Sequence, residues 1–174
     1  MDDINSTLKH LLSPDSLAQA EARGEIRHGF KLGEYHLLLQ AGTYCELAAR
    51  QPVCALPDCP VWFAGFINHR GHAVPIYDLA CYLSPERKRT PLERAFRLLL
   101  LDAHPGTAGF IIHTLPQVLS ELEPEPDTEP TELPASLSAV VSRSWHRQGQ
   151  RWHEIDHRAL LGRMKTEFQR SEQQ

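Results

Sequence analysis

The sequence predicts an all-β protein made of small barrels, with short helices and one helix at the C-terminus. Three observations carry that expectation. Short apolar segments recur at regular spacing from Ile26 onwards, little of the chain keeps a helical period, and the best-defined segment reads as strand, tight turn, strand. A chain of 174 residues suffices for one domain, of one or two lobes, burying about 70% of the unfolded chain's surface.

Taken in order, residues Asn5 to Glu25 have helical composition broken at Ser13-Pro14. Leu8, Leu11 and Leu12 form one apolar stripe, and Leu17 and Ala20 a second. We read residues 1–25 as an extension. From there the pattern turns to strands: Phe30 to Gly33, Tyr35 to Leu39 and Tyr44 to Leu47, then the hairpin that ends near Tyr77. Asp78 precedes Leu79 to Leu83 and suits the N-cap of a short helix. Phe96 to Leu101 and Ala108 to Leu115 form a strand pair around His104-Pro105-Gly106-Thr107, a turn by composition.

The segment 121–134 alternates carboxylates with Pro124, Pro126 and Pro130. Proline removes backbone donors and like charges repel, so an extended, mobile loop outside any sheet is expected there. Ala139 to Trp145 and Arg151 to Ile155 are the last strands, joined at Gln148-Gly149, and a helix follows from His157 to about Phe168, leaving 169–174 as a tail.

The hairpin is the most informative stretch. Gly71 supplies the positive φ that a short connection demands. Along the first arm Val61, Phe63, Gly65 and Ile67 are expected on one face and Trp62, Ala64 and Phe66 on the other. Apolar residues on both faces mean a strand buried on two sides or one that meets a partner. Arg70 at the turn offers five donors in a rigid fork suited to a carboxylate or a carbonyl, and Phe66 or Trp62 could supply a buried anchor. An internal carboxylate such as Glu46 is the other natural partner for Arg70, and one residue can serve both roles.

Gly65, Asn68, Arg70, Gly71, Val74, Pro75, Asp78 and Leu79 resemble the G-x-x-N-L-R-G-x-x-x-P-x-x-D-L signature of CheW-like domains, adaptors of bacterial chemosensory arrays. Phe30-Lys31-Leu32-Gly33 resembles the family's opening strand, Cys45-Glu46-Leu47 its V-x-E-I step, and Leu56-Pro57 with Pro60 its I-P-x-x-P approach. Leu98 to Asp102 with Gly109 to Ile112 resembles its later strand pair. The likeness spans about Ile26 to Leu161.

That resemblance implies two intertwined five-stranded SH3-like barrels over 26–168 and a non-enzymatic coupling function. The implied partners are the cytoplasmic tip of a methyl-accepting chemoreceptor and the regulatory domain of a CheA-type histidine kinase, and no cofactor is implied. The matched site positions are Glu46, Asn68, Arg70 and Gly71. His69 stands where the family usually has Leu, and His113 where Asp commonly follows the Gly-containing strand. Together with the N-terminal extension, these departures resemble the type IV pilus (PilI-like) branch, which governs twitching motility, more than a flagellar adaptor.

The bulk properties fit such a protein. A net charge of −4 and a pI near 6.2 leave no concentrated basic face for nucleic acid. The start Met1-Asp2-Asp3-Ile4 lacks the basic and apolar regions of a secretory signal, and no apolar run approaches the ~20 residues of a membrane span. A cytoplasmic protein without direct membrane insertion is expected, recruited to membrane-associated receptor arrays. Cys45, Cys54, Cys59 and Cys81 contain no C-x-x-C pair and lie in or beside apolar segments, so buried reduced thiols are expected.

One motif argues for an enzyme. His153-Glu154-Ile155-Asp156-His157 satisfies H-E-x-x-H, in which a helical turn places two imidazoles on zinc while the Glu activates water. That zinc-metallopeptidase chemistry needs all five residues in one helix. Here Trp152 to Ile155 reads as a strand end and Asp156 as an N-cap, a junction that points the imidazoles apart. No G-x-S-x-G elbow, P-loop or G-x-G-x-x-G is present.

Overall fold

The computed structural model describes residues 25–84, 86–87, 96–126 and 132–171. The expected extension therefore lies outside the described residues except at Glu25, as do residues 127–131 of the acidic segment and 172–174 of the tail.

The chain is all-β around two sheets. β1 (Arg27–Leu32) and β2 (Tyr35–Leu39) begin the first. The chain then crosses to build the second from β3 (Cys45–Ala48), β4 (Phe63–His69), β5 (His72–Tyr77), β6 (Arg97–Leu101) and β7 (Ala108–Ile112). It returns to the first through β8 (Gln117–Leu119), β9 (Glu123–Pro124), β10 (Val141–Arg147) and β11 (Gln150–Ile155). The orders are β8-β1-β2-β11-β10-β9 and β3-β6-β7-β5-β4. Parallel pairings of β11 with β2 and of β5 with β7 tie distant parts of the chain together within each sheet.

Three departures from expectation stand out. The first sheet has six strands rather than five, because Glu123–Pro124 joins it at the edge against Trp145 and His146. An edge strand tolerates a residue without N–H. The Glu125 carboxylate, 5% exposed, is met by Arg151 and by His146 at 3.2 Å, and its backbone N–H donates to the Ser144 carbonyl at 2.9 Å. The start of the acidic segment is thus held in the sheet, against the expectation of a free loop. The last helix continues to Ser171, so residues 169–171 are helical rather than tail.

The core alternates with strand period. Leu37 and Leu39 on β2, Leu99 and Leu101 on β6, and Phe30, Phe110 and Ile155 meet in one core between the two sheets. Leu38 turns the other way, onto Trp145, Trp152, Leu119 and Leu122. Leu98 and Leu100 turn onto Ile67, Val74, Ile76 and Ile111. Each lobe therefore has its own interior, and a shared core joins them. Trp145 and Phe110 are fully buried, each contributing about 2–3 kcal/mol or more by removing its ring from water.

Among the described residues there are three helices, two of which begin at an aspartate cap. For α1 (Leu79–Leu83), the Asp78 Oδ1 accepts the Cys81 N–H at 3.2 Å, and Asp78 is buried. α2 (Ala135–Ser138) is a single turn. For α3 (His157–Ser171), the Asp156 Oδ1 accepts the Ala159 N–H at 2.9 Å, and His157, Leu160 and Met164 face the shared core side. No helix among the described residues is long and apolar enough to cross a membrane. The four thiols are free. Cys81 is buried, Cys45 and Cys59 are partly so, and Cys54 is exposed, which corrects the expectation of four buried thiols.

Candidate functional site

The β4–β5 hairpin closes through a two-residue turn in which Arg70 (φ 53°) and Gly71 (φ 84°) both lie in the left-handed region. This is the type I′ turn that matches strand twist. Gly71 is suited to it by lacking a Cβ. Arg70 is held there by its surroundings: the Asn68 Oδ1 accepts the Gly71 N–H at 3.0 Å, and the Arg70 guanidinium donates to Glu46 Oε1 at 3.0 Å.

Glu46 lies on β3, opposite Leu100 in register, and its carboxylate is a meeting point. Oε1 is also 3.3 Å from His69 Nε2, and Oε2 accepts from the Tyr44 hydroxyl at 3.5 Å. The internal carboxylate partner expected for Arg70 is therefore present. The side chain of Arg70 is nevertheless 65% exposed, against 26% for Glu46 and 12% for His69, and most of its donors point to solvent. An exposed pair of this kind is worth less than ~1 kcal/mol to stability.

Beside the pair lies His104, from the connection between β6 and β7. Its Nε2 is 3.1 Å from His69 Nδ1, its Nδ1 is 3.2 Å from Thr107 Oγ1, and its ring stacks on His72 at 4.1 Å between centroids. Burial, followed by the neighbouring charges of His72, His69 and Arg70, holds His104 below the usual imidazole range. His69, Arg70, His104, Glu46, Thr107 and Asp102 contribute to the lining of a shallow pocket of about 100 Å³. Asp102 itself faces α3: its carboxylate takes Arg158 at 2.8 and 3.0 Å and His157 at 2.9 Å. The Arg158 hydrogen bond, with help from His157, holds that carboxyl below its ordinary range.

Away from the tip the same hairpin forms an apolar groove. Phe63, Phe66, Pro75 and Tyr77 line it with Leu56 and with Phe168 of α3, around about 400 Å³. Phe66 thus stands at the groove. Trp62 packs behind it, stacked on Tyr77 and edge-on to Tyr82 and Phe168. The strict alternation expected along β4 fails at a bulge between Phe63 and Gly65, which puts Phe63 and Phe66 on one side and Ala64 and Ile67 on the other. Of the residues singled out from sequence, Glu46, Asn68, His69, Arg70 and Gly71 come together, Phe66 lines the groove and Trp62 backs it.

His72 and His104 were missed. His72 was legible, because residues flanking a two-residue turn must face each other across the ladder; His104 needs the β6–β7 register to reach the tip.

The H-E-x-x-H residues straddle a strand and a helix, as the local pattern indicated. His153 ends its hydrogen bonding at Ser144 Oγ, 3.0 Å away on β10, and burial holds its imidazole below the usual range. His157 opens α3 and faces Asp102. The Glu154 carboxylate takes Arg27, the Trp145 indole N–H at 2.8 Å and the Ser142 hydroxyl at 3.2 Å. His153 and Glu154 share β11 while His157 opens α3, and each is taken up by a different partner. Among the described residues no group of three or more His, Cys, Asp or Glu side chains is arranged to hold a metal.

Comparison with known proteins agrees with this architecture. A family model described as the CheW-like domain matches residues 28–165. Protein PilI of Pseudomonas aeruginosa is 28% identical over 153 residues, covering 86% of this chain and 83% of that protein. The crystal structure of scaffolding protein TtCheW from Thermoanaerobacter tengcongensis superposes with a TM-score of 0.59 at 20% identity, over 76% of this chain and 89% of that one.

Proposed function

Because the chain belongs to the CheW-like domain family, we propose that it is a non-enzymatic coupling protein linking chemoreceptor cytoplasmic tips to a CheA-type histidine kinase. Its similarity to PilI supports a place in a system that controls type IV pilus twitching motility. The chain would work in the cytoplasm, recruited to membrane-associated receptor arrays.

The observation that carries this reading is the β4–β5 hairpin. One hairpin presents an apolar groove on the rungs Phe63/Tyr77 and Phe66/Pro75, and past Asn68/Ala73 an exposed guanidinium at its tip. A helix from a receptor tip fits such a pair of features: apolar side chains enter the groove, and a carboxylate or a helix C-terminal carbonyl takes the free donors of Arg70. Glu46 orients the guanidinium without enclosing it. The Glu of the H-E-x-x-H segment is taken up by Arg27 and Trp145, which favours the non-enzymatic reading over the zinc-peptidase one.

The coupling itself is tested by reconstitution. Receptor cytoplasmic fragments and a CheA-type histidine kinase from the same organism are assembled on vesicles, and kinase autophosphorylation is followed as the chain is added. A saturable change in kinase activity that needs receptor, kinase and chain together is expected. Kinase activity indifferent to the chain at every ratio contradicts the proposal.

A further inference from the structure

The His69–His104 contact is chemically incomplete as two neutral rings. The Thr107 hydroxyl donates its proton to the Asp102 carbonyl at 3.0 Å, so its oxygen can only accept from His104 Nδ1 at 3.2 Å. His104 therefore carries its hydrogen on Nδ1. Glu46 is an acceptor only, so His69 carries a hydrogen on Nε2, which faces Oε1 at 3.3 Å. A neutral imidazole has one N–H. The two remaining nitrogens, His69 Nδ1 and His104 Nε2, would then be bare lone pairs aimed at each other at 3.1 Å. Two acceptors do not hold that distance unless a proton lies between them.

We infer that His69 and His104 share a single proton, and that this proton makes the hairpin tip a pH-dependent receptor for a carboxylate on the partner. The second part rests on the reading of Arg70 as a contact. With the proton present, the imidazole pair offsets Glu46, and Arg70 is left as an uncompensated positive charge facing outwards. With the proton gone, Glu46 Oε1 has only Arg70 as a cation, the tip is close to neutral, and the facing lone pairs push His104 and its loop away from β4. Affinity for a carboxylate therefore falls as pH rises through the titration of the pair.

Every neighbouring charged or titratable group bears on this balance. Glu46 and Tyr44 face the pair from β3 and the residue before it, Arg70 from the turn and His72 from β5. Asp102 borders the same pocket but is engaged by His157 and Arg158. Burial and the charges of His72, His69 and Arg70 work against a second proton on His104.

Nitrogen-15 NMR of the histidine-labelled protein and a binding series decide the matter. Expected are the Nδ1–H tautomer of neutral His104 and one coupled proton release by the pair within about pH 5–8. His104 found as the Nε2–H tautomer, or two independent titrations, overturns the shared proton. In parallel, a receptor cytoplasmic-tip fragment is titrated at both ends of that range against wild type, His69→Leu and His104→Gln, each first shown to be folded by circular dichroism. Wild-type affinity should drop by about fivefold across the range, with a flat profile in both variants. A wild-type profile as flat as theirs overturns the pH control. A fragment that binds none of them at any pH overturns the docking reading of Arg70, and the NMR result still decides the shared proton.

Discussion

Gly65→Ala should lose at least about 3 kcal/mol of folding stability, or fail to fold. A Cβ at this position would sit 2.1 Å from the Cys54 carbonyl oxygen, 2.7 Å from its carbon and 2.9 Å from the Ala55 Cα. All three are backbone atoms, so no rotamer change relieves the clash. They are fixed there because residue 54 crosses β4 as a bridge: the Cys54 N–H donates to the Phe66 carbonyl at 2.7 Å and the Phe66 N–H to the Cys54 carbonyl at 2.9 Å. Gly65 also has a φ of 130°, which L side chains rarely adopt.

Gly71→Ala is the control, since nothing lies within 4 Å of its Cβ position. It should cost only about 1–2 kcal/mol for the left-handed backbone. Urea unfolding of the two variants separates steric from conformational cost, and a Gly65→Ala protein within about 1 kcal/mol of wild type would refute the account of the bulge. The position matters for function because the bulge turns Phe63 and Phe66 together into the groove.

Glu154→Ala should cost about 3–5 kcal/mol, the loss that follows from leaving a buried ion without its partner. Arg27 is 6% exposed, and its remaining carboxylate, Glu25, is at 3.8 Å and half-exposed. The guanidinium also lies over the Trp145 ring at 4.5 Å, and the indole N–H would lose its acceptor as well. Chemical denaturation reads this directly. A zinc-peptidase glutamate behaves in the opposite way: its removal abolishes hydrolysis while the fold stays intact. A Glu154→Ala protein as stable as wild type, with stoichiometric zinc bound to wild type, would restore the enzymatic reading.

What was legible in the sequence was local. The Asp78 and Asp156 caps, the Arg70-Gly71 turn and the strand-to-helix break inside the H-E-x-x-H segment each depend on a few neighbouring residues, and each is found in the structure. The resemblance of the hairpin signature to CheW-like domains identified the family, and the strand spacing identified the class.

What was not legible required distant partners. The bulge at Ala64 and Gly65 exists because the chain around Cys54 crosses β4, and no period within residues 61–67 reports that crossing. Glu125 reads as one more acidic loop residue until β11 brings Arg151 beside it. His104 reads as one of ten scattered histidines until the pairing of β6 with β7 carries its loop to the hairpin tip.

The most direct measurement is a calorimetric titration of the receptor cytoplasmic-tip fragment into wild type and Arg70→Ala, with matched far-UV spectra and unfolding curves for the two proteins. Glu46 and Arg70 form an exposed pair, so the substitution should leave the fold cooperative and nearly as stable. Expected is saturable binding by wild type and a loss of ~1 kcal/mol or more, about fivefold, in the variant. Equal affinities for two equally folded proteins would contradict the hairpin tip as the docking contact.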